Sequence, residues 1–258
     1  MHKSRCSTMH RLGILALTSV ALLGYACGGG GERAEETADE PPAPNTLTAA
    51  EREAGWQLLF DGETTAGWRG YNADSFPAQG WEVRDGSLVV VAGGGGGDIV
   101  TNDEFSNFEL SLEFKVTPGA NSGIFFGAID QPEKPMWNSA PEYQILDDAA
   151  YLGGEEDLAT HLTADNYDLH SASQAAVKPV GEWNVAKIVV HRPHVEHWLN
   201  GVKMVEYELG SPEWEALVAA SKFGAYPEYG RATSGHIGLQ DHGNEVWFRN
   251  IKIRPLEP

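Results

Sequence analysis

Residues 108–116 read Phe-Glu-Leu-Ser-Leu-Glu-Phe-Lys-Val, an unbroken alternation of apolar and polar side chains. In an extended strand successive side chains point to opposite faces. Phe108, Leu110, Leu112, Phe114 and Val116 therefore line one face, and Glu109, Ser111, Glu113 and Lys115 the other. A strand with one dry face needs a second layer to bury it. Shorter pieces of the same signal fill the rest of 56–256. Residues 81–91 (WEVRDGSLVVV) predict two strands about an Asp85-Gly86 turn. Residues 185–190 and 195–199 predict two more, and Asn200-Gly201 a type I′ hairpin turn into 202–207. HIGLQD and EVWFRNIKI predict the last two. Strand signals about ten residues apart, with Gly-rich turns between them, indicate an antiparallel sandwich rather than βαβ units. The chain has 258 residues, enough for one large all-β domain with a real core.

One short helix interrupts the pattern. Ser211 can cap it, Pro212 suits its first turn, and Glu213 and Glu215 favour its positive end. Trp214, Leu217, Val218 and Ser221 share a face that would lie on the sandwich, and Lys222 closes the last turn. Gly93–Gly97 reads as a flexible loop. It is not a phosphate cradle, because no Lys-Ser/Thr follows.

The N-terminus reads as an address. Residues 1–11 are basic, residues 12–23 (LGILALTSVALL) are an apolar run of signal-peptide length, and Gly24-Tyr25-Ala26-Cys27 resembles a lipobox. Cys27 would then be acylated and become the mature N-terminus. The alternative is an ordinary signal peptide cut near Ala26. Residues 28–50 are rich in Gly, Glu, Ala and Pro and predict a flexible acidic tether, which leaves 51–258 as the folded domain. This places the protein outside the cytoplasm, in the periplasm or at the outer-membrane surface, held to the membrane by lipid alone.

Composition then narrows the function. Both cysteines, Cys6 and Cys27, lie in the first 27 residues, so the domain has no thiol catalysis, disulfide or Cys-ligated metal. The formal net charge is −19, and removing Lys3, Arg5 and Arg11 with the signal leaves 15 basic against 37 acidic residues, near −22. Such a surface repels phosphate backbones, so nucleic acid is excluded as a partner, whereas neutral sugars meet no barrier.

Several segments place hydrogen-bonding residues where a strand needs none: Asn121-Ser122-Gly123, Glu142 to Asp148, His161 to His170 with Tyr167, His197 to Gly201, and Gln240-Asp241-His242. By period two, Glu142 and Gln144 share a face roughly 7 Å apart, which suits adjacent sugar hydroxyls. The alternative is a plain solvated face. Histidine is the side chain best matched to proton transfer near neutral pH. Val195 and Leu199 flank His197 on the same face, however, so a buried structural role for it stands beside the catalytic one. No HExxH, Asp-rich loop or Gly-x-Ser-x-Gly elbow occurs.

Taken in order, Phe60-Asp61-Gly62, Trp81-Glu82-Val83, Asn121-Ser122-Gly123, Glu142-Tyr143-Gln144-Ile145-Leu146-Asp147, Gly181-Glu182-Trp183-Asn184, His197-Trp198-Leu199-Asn200-Gly201 and Gly235-His236-Ile237-Gly238-Leu239-Gln240-Asp241-His242-Gly243 resemble the DUF1080, or 3-keto-disaccharide hydrolase, family across about 55–256. The resemblance implies a concanavalin-like jelly-roll fold. It also implies an unusual route to glycoside cleavage, in which a partner oxidoreductase oxidises the sugar at C3. A base then removes the acidified C2 proton, the C1 oxygen leaves, and water adds. On this reading His161, His197 and Glu142 are the catalytic candidates. Gln144, Asp147, Tyr167, Asn121, Lys187, Gln240 and His242 are the candidates for binding substrate. Where many members carry an Arg after Asn-Ser-Gly, this chain has Phe126-Gly127-Ala128. The resemblance fixes no cofactor and leaves a divalent-metal requirement open. The competing readings are a non-catalytic carbohydrate-binding module and a structural surface protein.

Overall fold

The computed structural model describes residues 42–152, 158–173 and 175–257. Cys27, the signal region and most of the expected tether lie outside them. Among the described residues there are thirteen strands: β1 Gln57–Leu58, β2 Trp68–Gly70, β3 Trp81–Arg84, β4 Ser87–Val90, β5 Ile99–Thr101, β6 Phe108–Val116, β7 Asn121–Ala128, β8 Glu142–Leu146, β9 Asn184–His191, β10 His194–Leu199, β11 Val202–Glu208, β12 His236–Leu239 and β13 Val246–Pro255. All pairings are antiparallel. A large sheet runs β11-β10-β9-β6-β13-β4-β3, with β1 also on β13, and a smaller sheet runs β2-β5-β12-β7-β8. The two pack face to face as a jelly-roll sandwich.

The alternation of β6 is realised residue by residue, with its five apolar side chains buried and the four between them partly exposed. They meet Ile124, Phe126, Tyr143, Ile145, Ile237 and Leu239 of the small sheet in one continuous core. The Asp85-Gly86 and Asn200-Gly201 pairs both have positive φ (49° and 69°, 51° and 82°), as a type I′ turn requires.

Three expectations need correction. The domain starts before residue 51: Asn45 is buried, its side chain donates to the Gly86 carbonyl at 2.7 Å, and Thr48 caps a single helical turn, α1 Ala49–Glu53. A second single-turn helix, α2 Asp148–Tyr151, follows β8, so the expected helix, α3 Pro212–Ala220, is not alone. Ser211 caps α3 as expected, accepting from the Trp214 N–H at 3.1 Å. The Gly93–Gly97 segment is packed rather than free. A Cβ at Gly80 or Gly96 would strike backbone of the other strand of chain, so only glycines let the loop close over Gly80 and Trp81.

The two sheets differ on their outer faces. That of the large sheet carries partly exposed charged side chains. That of the small sheet is covered: β8 is buried at all five positions and β7 at seven of eight. The covering pieces are the 129–141 loop, which seats Met136 against Gly238, the 158–173 loop, and the turn after α3.

Candidate active site

β8 is the edge strand of the small sheet, and a loop rather than another strand covers that edge. Gln144 N–H donates to Asp165 O at 3.1 Å, Ala164 N–H to Gln144 O at 2.9 Å, and Tyr167 N–H to Glu142 O at 3.1 Å. The backbone of the edge is thereby satisfied, and the side chains of Glu142 and Gln144 are held beneath the loop. Across the strand pair Gly123 stands opposite Gln144. A Cβ at Gly123 would land on the Glu142 carboxylate, so the glycine of Asn-Ser-Gly is the space that carboxylate occupies.

A cavity of about 130 Å³ opens here, lined by Asn121, Trp137, Glu142, Gln144, Tyr167, Lys222, Gln240 and His242. It is small beside the 300–1,000 Å³ typical of drug-sized ligands. With its amide nitrogen turned toward Glu142, Gln144 donates to Oε1 at 3.1 Å and to the Ser122 carbonyl at 3.2 Å. The buried Oε1 of Gln240 has no partner among the described residues.

Two charged groups dominate the cavity. Burial pushes the Glu142 carboxyl up to about 8; Lys222 opposes that shift and Asp98 adds to it. Asp98 is itself raised to about 6 by burial. The Lys222 ammonium lies 4.2 Å from the centre of the Tyr167 ring, 5.1 Å from Phe223 and 5.3 Å from Trp137. The residue keeps solvent access at the mouth, yet desolvation lowers its pKa against the pull of Glu142 and Asp168. A carboxyl held partly protonated near neutral pH, beside an amine whose pKa is lowered by desolvation, is suited to moving protons.

Six of the ten sequence-derived candidates line this cavity: Glu142, Gln144, Asn121, Tyr167, Gln240 and His242. His161 lies behind the wall. Its ring stacks on Tyr167 with centroids 4.5 Å apart, and Nε2 is 3.3 Å from Asp168 Oδ1. Three candidates are elsewhere. His197 is fully buried between the sheets; Nδ1 donates to Ala164 O at 3.1 Å, Nε2 accepts from the Tyr207 hydroxyl at 3.2 Å, and burial lowers its pKa to about 4. Of its two alternatives, the structural one is realised, because Val195, His197 and Leu199 all face the core. Lys187 points off the large sheet, its ammonium 4.2 Å from the centre of the Trp198 ring. Asp147, at the end of β8, is occupied by the Gly119 N–H at 2.8 Å. The sequence reading missed Trp137 and Lys222. Trp137 is a tryptophan in a segment without strand period, which was a usable signal; Lys222 was read as a helix terminus only. Among the described residues, one group of His and carboxylates is close enough to share a cation, namely His194, Glu196 and Glu206. It lies on the β10–β11 hairpin of the other sheet, and Lys203 pairs with both of its carboxylates.

Residues 55–254 match the family described as a 3-keto-alpha-glucoside-1,2-lyase-like domain. The chain belongs to that family. It is 36% identical to a protein of Bacteroides thetaiotaomicron named 3-keto-disaccharide hydrolase, over 88% of this chain and 91% of that one. A solved protein of Parabacteroides distasonis, whose name proposes a glycosyl hydrolase, superposes with a TM-score of 0.76 at 33% identity, covering 83% of this chain and all of the other. A second from the same organism has a TM-score of 0.59 at 31% identity, covering 78% and 99%.

Proposed function

We propose that this protein cleaves the glycosidic bond of 3-keto-glycosides by β-elimination across C1 and C2, followed by hydration, for net hydrolysis. The observation that carries this reading is the acid count of the cavity. A conventional glycosidase needs two carboxyl groups, about 5–5.5 Å or 6.5–9.5 Å apart, around an oxocarbenium-like transition state. Among the described residues lining this cavity Glu142 is the one carboxylate. Elimination from a 3-keto sugar needs one base, because the ketone already acidifies the C2 proton. A carboxylate whose pKa is raised to about 8 is a stronger base than an ordinary one and is still partly ionised at neutral pH.

The other residues supply the rest. The amides of Gln144, Asn121 and Gln240 hold ring hydroxyls, and the Trp137 and Tyr167 rings offer apolar surface to the sugar. His242, exposed at the mouth, is placed to hand a proton to the leaving oxygen. The reaction requires an upstream oxidoreductase that installs the C3 ketone. We further propose that the protein is exported and acylated at Cys27, with mass spectrometry of the exported chain as the test.

The mechanism is tested by turnover in D2O. Elimination and hydration put one solvent deuterium at C2 of the released 3-keto sugar, above the exchange seen without enzyme. Direct hydrolysis leaves C2 protiated. Binding of the sugar without turnover would favour the carbohydrate-binding reading.

A further inference from the structure

The reading above leaves the nearest amine to the cavity without a task. Of the lysines in the described residues, Lys222 is the one that lines it. It is set there by a specific link: its backbone N–H donates to Asp168 Oδ2 at 3.2 Å, which ties the turn after α3 to the loop that covers β8. Three rings surround the ammonium, and among the described residues no carboxylate lies within ion-pair distance of it. Lys203 and Lys252, by contrast, are each held by glutamate. A lysine partly desolvated by aromatic rings, free of a salt bridge among the described residues and lining a cavity for a ketone substrate is the arrangement by which amines become nucleophiles.

We propose that Lys222 captures the C3 ketone of the substrate as an imine, so that the elimination runs through an enamine rather than an enolate. This rests on a 3-keto-glycoside being the substrate. The steps balance within the site. Glu142, as carboxylate, takes up one proton that the Lys222 ammonium gives up through solvent in the cavity, and the neutral amine adds to C3 to give a carbinolamine. The protonated Glu142 returns a proton to the carbinolamine oxygen, which leaves as water, and a protonated imine remains. The Glu142 carboxylate then removes the C2 proton, and the C2–H pair becomes the C2–C3 double bond of the enamine. The nitrogen lone pair re-forms C3=N, the C2–C3 pair moves to C1–C2, and the C1–O bond breaks, with the leaving oxygen taking a proton. Water attacks C3 of the conjugated imine, releases the unsaturated ketone and regenerates the amine. No oxidant or reductant is needed. The lowered pKa of Lys222 and the raised pKa of Glu142 both favour that first proton transfer. An imine nitrogen is protonated far more readily than a ketone oxygen, so the C2 proton becomes more acidic than in the free ketone.

The test uses the full chain, a 3-keto-glucoside and sodium cyanoborohydride, which reduces iminium ions in preference to ketones. Intact mass and peptide mapping should show one sugar-derived adduct on Lys222, with activity lost in step with labelling. Lys222→Arg keeps a cation in place but cannot form an imine. It should lose about 100-fold or more of turnover, the low end of what an essential proton-handling or nucleophilic group supplies, with an unchanged thermal melt. Turnover by the wild type without any Lys222 adduct, together with near-normal turnover by Lys222→Arg, would overturn the imine. That result would leave cleavage of 3-keto-glycosides intact and reduce Lys222 to an electrostatic role. Failure of the wild type to turn over any 3-keto-glycoside would remove the substrate reading and the imine with it.

Discussion

The two sheets of this sandwich are built from the same alternation and end differently on their outer faces. On the large sheet the outward side chains are partly exposed and matched: Arg249 with Glu113 at 2.7 Å, Arg254 with Glu109 at 2.6 Å, and Arg84 with Glu245 at 3.2 Å. Exposed pairs of this kind contribute about 0–1 kcal/mol each and mark a solvated surface. On the small sheet the outward side chains of β7 and β8 are roofed by loops. Glu142 is 5% exposed and has no salt bridge among the described residues. The contrast teaches that polar residues on a strand face say little until something covers them. Once they are covered, an unpaired acid costs stability, and it marks the place where stability has been traded for chemistry.

Glu142→Gln should break the comparison most sharply. Turnover should fall about 10²- to 10⁴-fold, the range for losing a general base, while the fold gains stability. The sign follows from the raised pKa. Between the ordinary carboxylate value near 4.5 and about 8, the unfolded chain gives up a proton that the folded chain keeps. Wild-type stability therefore falls across that window and the glutamine variant is spared, by an amount on the order of a few kcal/mol at pH 8. Denaturant melts of both proteins at pH 5 and pH 8 would show it.

His197→Ala should act in the opposite sense. It opens a void in the core and orphans the Ala164 carbonyl and the Tyr207 hydroxyl, so about 2–4 kcal/mol of stability should be lost. Because the His197 pKa is depressed to about 4, its contribution is present above the unfolded value near 6.5 and is lost as pH falls toward 4. Acid melts of wild type and His197→Gln should separate in that range.

Gly123→Ala tests the space beneath Glu142. It should lower turnover by about 10-fold or more, as a displaced catalytic group does, with a far smaller effect on the melt. Lys187→Ala, on the solvated sheet, should change stability by no more than about 1 kcal/mol and leave turnover unchanged. A large effect of Lys187→Ala on turnover would erase the distinction between the faces.

Most of the fold was legible because strand alternation and turn chemistry are local. β6 and the Asn200-Gly201 hairpin follow from neighbours in sequence. The start of the domain was not, since Asn45 is held by Gly86 and Asn250, distant in the chain. The site was legible where a strand face carried it, at Glu142, Gln144 and Asn121. It was not legible at Lys222, which arrives from a turn and is positioned by Asp168 of another loop. His197 misled because its chemistry and its strand register pointed different ways, and register prevailed: a side chain between Val195 and Leu199 on one face shares their burial.

The central claim is that the cavity acts on a ketone-activated sugar with a single carboxyl group. The most direct measurement is turnover by the full chain of a 3-keto-glucoside beside the same glucoside unoxidised, each with wild type and Glu142→Gln. The account predicts cleavage of the 3-keto compound alone, and its loss in the variant. Comparable cleavage of the unoxidised glucoside, or full activity of Glu142→Gln on the ketone, would contradict it.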